Sequence, residues 1–251
     1  MSQYITKVDR NVPFRMFCFH HAGGGASLFR GWGEHIGSMV QVVPVLLPGR
    51  ERRRKEPRFV DLQHLVDDID SVIGACLDEG PYALFGHSMG ALIAYRLIAA
   101  RRDRRRPAPQ ALFVSGCQAP SMLRARVAFD VSDEALRALL LKIGGQPEEI
   151  VDHPAWLSLF LPILRDDLRV CNSLRMPDQP MLDCPIFALG GLSDTHVSQT
   201  DVRAWIDLAG SGYEARFFTG GHFFMRDAPD AFFAYLRQKL VESGKFPQKV
   251  A

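Results

Sequence analysis

Gly86-His87-Ser88-Met89-Gly90 is a G-x-S-x-G pentapeptide set between the apolar run Tyr82–Phe85 and the helix-like run Ala91–Leu97. Strand before and helix after is the setting of a nucleophile elbow, a turn so tight that its flanking positions tolerate almost no side chain. Such a turn lifts Ser88 out of a sheet and sets it at the N-terminus of the next helix, where free N–H groups and the macrodipole favour negative charge. A serine hydroxyl is a weak nucleophile until a base takes its proton. The rest of the chain must supply that base and a group to orient it.

In this architecture the partners follow the serine in the order acid, then histidine. Of the eight histidines, His222 stands in Gly220-Gly221-His222-Phe223-Phe224, just past strand-like Ala215–Thr219. A loop histidine beyond a strand end can swing its imidazole over the sheet edge towards Ser88. His20, His21 and His87 compete, but His87 is the variable residue of the elbow and its side chain should point away from Oγ. The acid is read as Asp194, in the loop after the apolar run Pro185–Leu189. There a carboxylate can accept the imidazole Nδ1–H, fix the tautomer and stabilise the imidazolium. Asp183 precedes that strand, at the wrong end of the sheet, and Asp201 is placed to open a helix.

The fourth requirement is an oxyanion hole. Strand-like Arg15–Phe19 runs into His20-His21-Ala22-Gly23-Gly24-Gly25. Glycines let such a loop turn an N–H into the cleft, and the residue after the nucleophile offers a second. Ala22 and Met89 are assigned as these donors, with Gly23 the neighbouring alternative to Ala22. The loop could instead cradle phosphate, but the chain has no G-x-x-x-x-G-K-[ST] and lacks the spacing of a dinucleotide fingerprint.

The elements that must position these groups alternate. Strands are expected at Arg15–Phe19, Gln41–Leu46, Tyr82–Phe85, Ala111–Ser115, Pro185–Leu189 and Glu214–Phe218. Helices are expected at Asp61–Leu77, Ala91–Arg102, around Thr200–Leu208 and at Ala228–Val241. The first shows Leu62, Leu65, Val66, Ile69, Val72 and Ile73 at helical spacing. This alternation predicts an α/β fold with a mainly parallel sheet covered on both faces. Residues 1–115 and 184–242 form the core, and 243–251 a disordered tail.

Residues 116–183 break the pattern. They hold a helix over Asp133–Ile143, capped by Ser132, and a second helical stretch, His153 to Leu174, with Trp156, Leu157, Leu159, Phe160, Leu161, Ile163, Leu164 and Leu168. The insertion sits where a lid over the site would lie, and its leucines and aromatics would suit an acyl chain.

With 251 residues, 47% hydrophobic and 23% charged, the chain has room for one large α/β domain and its insertions. No stretch is long and apolar enough to span a bilayer, and the first residues lack the apolar core of a signal peptide. The five cysteines show no C-x-x-C, so neither a disulfide frame nor a zinc site is expected. They read as small core residues in a reducing cytoplasm. Basic residues gather in two runs, Arg50 to Arg58 and Arg101 to Arg106. These read as solvated surface or as a docking patch for an acidic partner. No recognition motif accompanies them, which argues against nucleic acid.

Five blocks carry a closer likeness: Cys18-Phe19-His20-His21-Ala22-Gly23-Gly24, Leu47-Pro48-Gly49-Arg50, Gly86-His87-Ser88-Met89-Gly90-Ala91, Ala188-Leu189-Gly190-Gly191 and Gly220-Gly221-His222-Phe223-Phe224. In order and content they resemble the signature blocks of the type II thioesterases, stand-alone α/β-hydrolases of polyketide and nonribosomal peptide synthesis. Ile143-Gly144-Gly145-Gln146-Pro147 resembles the family's lid motif. Two places depart: the family usually has proline where His20 stands, and the acid loop Ser193-Asp194-Thr195-His196 is less acidic than usual. The resemblance implies cleavage of acyl groups from the phosphopantetheine thiol of acyl or peptidyl carrier protein domains, without a cofactor of its own. It also implies Ser88, Asp194 and His222 as a triad; separately, the protein is expected to be a cytoplasmic monomer. A medium-chain fatty acyl thioesterase, a general carboxylesterase and a hydrolase fold kept as a binding partner are the alternatives.

Overall fold

The computed structural model describes residues 4–5, 8–122, 130–144, 153–174 and 180–244. Its strands are β1 (Phe14–Phe19), β2 (Val40–Val45), β3 (Tyr82–His87), β4 (Ala111–Ser115), β5 (Ile186–Gly191) and β6 (Tyr213–Phe218). The helices are α1 (Trp32–Ile36), α2 (Leu62–Asp78), α3 (Met89–Asp103), α4 (Asp133–Ile143), α5 (Pro154–Asn172), α6 (Gln199–Arg203), α7 (Phe224–Asp227) and α8 (Pro229–Gly244). The strands form one sheet in the order β2-β1-β3-β4-β5-β6, and each neighbouring pair is parallel. The α/β fold expected from the alternation is the fold observed.

Parallel strands buried on both faces must be apolar in both phases of their alternation. β1 shows this: Phe14, Met16 and Cys18 pack with residues of α1 and α8, whereas Phe17 and Phe19 pack with residues of α2 and α3. The chain leaves β1 in one direction to pair β2 and in the other to pair β3. That reversal opens a crevice beyond the carboxyl ends of β1 and β3, the place where such sheets bind ligands.

Capping follows the sequence closely. Asp61 accepts from the His64 N–H at the start of α2, and Ser132 accepts from the Ala135 N–H at the start of α4. Most boundaries agree to within two residues, and three differences stand out. The helix expected around 200–208 is α6 followed by a 3₁₀ stretch, Ala204–Leu208. α1, too short for a periodic signal, was not foreseen. α8 continues to Gly244, taking in the first two residues of the expected disordered tail, whose remainder lies outside the described residues.

Between β4 and β5 lie α4 and α5. The apolar residues of α5 divide: Phe160, Leu161, Leu164 and Leu168 pack with Leu136 and Leu140 of α4, while Trp156 and Leu159 are exposed. Gly145, Gln146 and Pro147 lie outside the described residues. No helix of the described residues is long and apolar enough to cross a membrane.

Candidate active site

Ser88 is a one-residue hinge between β3, which ends at His87, and α3, which begins at Met89. Its backbone has φ 53 and ψ −118, a conformation that a residue with a Cβ adopts only when its surroundings impose it. The Ser88 N–H donates to the Ser115 carbonyl of β4 at 2.7 Å, and the Ala91 N–H donates to the Ser88 carbonyl at 2.9 Å. A Cβ on Gly86 would strike the Gly90 carbonyl, and one on Gly90 would strike the Phe19 carbonyl at the end of β1. Both glycines of the pentapeptide are therefore fixed by backbone-to-backbone contact.

His222 and Asp194 arrive on the loops that leave β6 and β5. The two loops are tied together, Leu192 N–H to the Phe218 carbonyl at 2.8 Å and Ser193 N–H to the Gly220 carbonyl at 2.9 Å. His222 Nδ1 lies 2.7 Å from Asp194 Oδ2, and Asp194 Oδ1 accepts the N–H groups of His196 at 2.8 Å and Val197 at 3.0 Å. Both side chains are almost fully buried. Burial pushes the Asp194 carboxyl up, but the His222 ring and the two backbone donors outweigh it, and the group ends below the ordinary carboxylate range. Asp194 is thus an anion at neutral pH and can only accept, so the His222 Nδ1–H is the donor.

Ser88, His222 and Ala22 line one cavity, together with His21, His196 and Phe223. Its other wall is made by Leu139, Leu140 and Ile143 of α4 and by Leu164, Leu168 and Cys171 of α5. Among the described residues no hydrogen bond joins the Ser88 hydroxyl to His222 in this conformation. Such bonds are often long in an empty site and tighten on substrate. Cys171 is no rival nucleophile, because burial pushes its thiol up to about 12 and keeps it protonated.

The loop after β1 is bound on every side. His20 Nδ1 lies 2.8 Å from the His21 carbonyl and His21 Nδ1 2.9 Å from the Ala22 carbonyl. A carbonyl only accepts, so Nδ1 carries the proton in each ring. The imidazole standing where the family usually has proline thus holds the backbone it belongs to. Gly23 has φ 76, and its N–H donates to Asp167 Oδ2 of α5 at 2.7 Å. That donor is already committed, and of the two candidate donors, Ala22 and Gly23, it is Ala22 that lines the cavity.

His222 is walled by neutral rings that the sequence reading did not assign to it. His87 stands 4.9 Å from it and His196 5.4 Å, both between ring centres. His87 also bonds Ser115 Oγ at 3.0 Å. Burial, helped by the neighbouring His222, lowers His87 and His196 below the ordinary imidazole value. Burial likewise takes His21 down to about 4. The rejected candidates lie elsewhere. Asp201 closes a capping box with Ser198 at the start of α6, and Asp183 lines a surface pocket with Tyr82, Arg101 and Pro107.

The reading of the basic runs as solvated surface holds for Arg52, Arg54, Lys55 and Arg104 to Arg106 but needs correction at three buried positions. Arg50 is buried and paired bidentately with Asp167, Nη1 to Oδ2 at 2.7 Å and Nη2 to Oδ1 at 2.9 Å. Arg53 is buried between Glu56 and the Leu46 carbonyl. Arg101 is buried against Asp70 and Asp78 of α2. Each found an acidic or carbonyl partner that lies apart from it in the chain or in the next turn, which composition cannot reveal. Asp167 was also missed; its one signal is a carboxylate inside an apolar helical stretch. Among the described residues no group of three or more His, Cys, Asp or Glu is arranged to hold a metal ion.

A parallel sheet with a strained serine at its reversal point, and an imidazole that lines the same cavity while bonded to a buried carboxylate behind it, fits an α/β enzyme of hydrolase type. The chain belongs to the thioesterase family, whose domain matches residues 14–240, and it is accordingly a hydrolase acting on thioesters. It is 33% identical to the gramicidin S biosynthesis protein GrsT of Aneurinibacillus migulanus, over 88% of this chain and 86% of that one. The structure of RedJ, a thioesterase from the prodiginine pathway of Streptomyces coelicolor, superposes with a TM-score of 0.85 at 38% identity, covering 91% of each chain. The type II thioesterase BorB from the borrelidin biosynthetic cluster gives 0.84 at 31% identity, covering 94% of this chain and 97% of that one.

Proposed function

We propose that this thioesterase releases acyl groups from the phosphopantetheine thiol of carrier protein domains in a polyketide or nonribosomal peptide synthase, clearing stalled or misloaded units. The relatives' places in such pathways support the substrate class. The observation that supports the mechanism is the Asp194–His222 bond at 2.7 Å, which leaves Nε2 free in the cavity that Ser88 also lines.

In the proposed reaction, His222 Nε2 takes the Ser88 proton as Oγ attacks the thioester carbonyl. Asp194 holds the imidazole in the required tautomer and stabilises the imidazolium. The N–H groups of Ala22 and Met89 receive the oxyanion, an interaction whose loss typically costs ~10²–10³ in turnover. Collapse of the tetrahedral intermediate breaks the C–S bond, and the departing sulfur, whose thiol has a solution pKa of ~8.5, takes the proton held by the His222 imidazolium. Water activated by His222 then frees the acid, and no cofactor takes part. α4 and α5 act as the lid, presenting Leu139, Leu140, Leu164 and Leu168 to the acyl chain.

Ser88→Ala should reduce hydrolysis of acyl-thioesters by on the order of 10⁴-fold or more, with the unfolding transition retained. Substantial turnover by that variant would remove Ser88 from the mechanism. Acyl-thioesters should also be cleaved faster than matched oxygen esters; the reverse preference would favour a carboxylesterase.

A further inference from the structure

Asp167 lies on α5, outside the triad, yet it touches the loop that the proposed mechanism relies on most. Its carboxylate has two oxygens and three donors. Oδ2 accepts the Gly23 N–H at 2.7 Å and Arg50 Nη1 at 2.7 Å, and Oδ1 accepts Arg50 Nη2 at 2.9 Å. Arg50 Nη1 also reaches the Gly24 carbonyl at 3.3 Å, and its Nε bonds the Pro48 carbonyl at 3.2 Å. Asp167 is 2% exposed and Arg50 6%. A buried ion pair is retained at a high desolvation cost, and hydrophobic residues of similar volume often stabilise a fold as well or better. Stability alone is therefore a weak reason for this pair.

Its geometry suggests another. Phe160, about two helical turns before Asp167, sits so close to Gly23 that a Cβ there would collide with its ring. Gly23 is thus pressed by α5 from one side and hydrogen-bonded by α5 from another, in a left-handed conformation, φ 76. Fixing Gly23 in this way sets the peptide plane before it and so limits where the neighbouring Ala22 backbone can point. The C-terminal half of α5 is itself anchored to the core, Asp166 to Arg58 Nε at 2.7 Å and Ser173 Oγ to the Leu62 N–H at 2.7 Å.

We propose that Asp167 is a positioning residue of the oxyanion hole. By holding the Gly23 N–H and the Arg50 guanidinium together, it fixes Ala22 facing the cavity and couples the seating of α5 to hydrolytic competence. This rests on the reading of Ala22 as an oxyanion donor. Any displacement of α5 from the sheet releases the loop, so the helix that walls the acyl cavity also switches the site on.

The test compares two double variants that both remove the buried charges. Arg50→Met with Asp167→Asn keeps a side-chain oxygen to accept the Gly23 N–H. Arg50→Met with Asp167→Leu does not. On a small soluble acyl-thioester, the Leu variant should lose ~10²–10³ in kcat relative to the Asn variant, with KM within about threefold by the same logic of transition-state-only contacts. Binding of a trifluoromethyl ketone analogue, whose hemiketal oxyanion needs the hole, should weaken in parallel. The acid limb of the pH profile should not move, because His222 and Asp194 are untouched. Equal kcat in two variants that unfold at similar temperatures would overturn the proposal, as would a shifted acid limb. If one double variant does not fold, the single Asp167→Asn and Asp167→Leu variants carry the same comparison. Loss of activity in Ser88→Ala together with unaltered Asp167 variants would sink this inference alone. An active Ser88→Ala would sink the reading beneath it.

Discussion

Two runs of arginine, alike in composition, serve different ends in this molecule. The run at 101–106 lies at the end of α3 and pairs with α2: Arg101 with Asp70 and Asp78, Arg104 with Asp67 and Asp70, and Arg106 with Asp78. It fastens two adjacent helices far from the carboxyl rim of the sheet. The run at 50–58 instead sends Arg50 inward to Asp167 and Arg58 to Asp166, tying the loop after β2 to α5 and to the glycine loop of the site. Charge density is the same lesson in both; what differs is which carboxylate the fold brings within reach. One run holds the frame and the other holds the loop proposed to bind the oxyanion.

Acid should expose the difference most strongly. Burial holds His20, His21, His87 and His196 below the ordinary imidazole value, and the charge of Arg50 contributes at His20 and, more weakly, at His21. A lowered folded-state value means that the unfolded chain binds protons first as pH falls. The stability given by the neutral His21 ring is complete above about 6.5 and is lost towards about 4, a change of about 3 kcal/mol from that group alone. Thermal unfolding between pH 7.5 and 4.5 checks this. A constant Tm over that window would show that these rings are not held neutral by the fold. Asp194, already below its ordinary value, stays ionised through most of the same window, so loss of activity there should not come from protonation of this carboxylate.

Arg101→Met should come next. Removing one partner of a buried ion pair strands the other, but Asp70 keeps Arg104 and Asp78 keeps Arg106. The cost should therefore fall to about 2 kcal/mol, below the range for a fully buried pair, and lower Tm by roughly 4–8 °C. Turnover per folded molecule should be unchanged. A fall in kcat at constant Tm would erase the distinction between frame and site.

The smallest effect concerns the exposed members of the first run. Arg52→Glu with Arg54→Glu should raise KM for a carrier-bound substrate by a fewfold, in line with the modest worth of rim charges, and leave KM for a small soluble thioester alone. Arg53 is excluded from that test because it is buried over the Tyr4 ring. Equal effects on both substrates would dismiss docking through this face.

Local signals sufficed for much of the site. The placement of Ser88, His222 and Asp194 just past strand ends was legible because each follows an apolar run among glycines, where side-chain volume and backbone direction leave few options. The strands were legible because burial on both faces demands uninterrupted apolar runs. The helix cap at Ser132 was legible because a side chain three residues before an orphan N–H satisfies it locally. α1 was not, since five residues give too little periodicity. The division of α5 into buried and exposed halves was not either, since its apolar residues surround the axis and only contact with α4 and Ala22 decides which are covered.

What the chain alone determined is therefore whatever depends on neighbours in sequence: the elbow, the alternation, the caps and the order of the reacting groups. Tertiary structure decided the pairings across long stretches of chain. Arg50 meets Asp167 over 117 positions, Gly23 meets it over 144, and His87 and His196 close around His222. No local pattern encodes such meetings, because charge, burial and hydrogen-bond direction at each partner are set only when separate elements pack against one sheet.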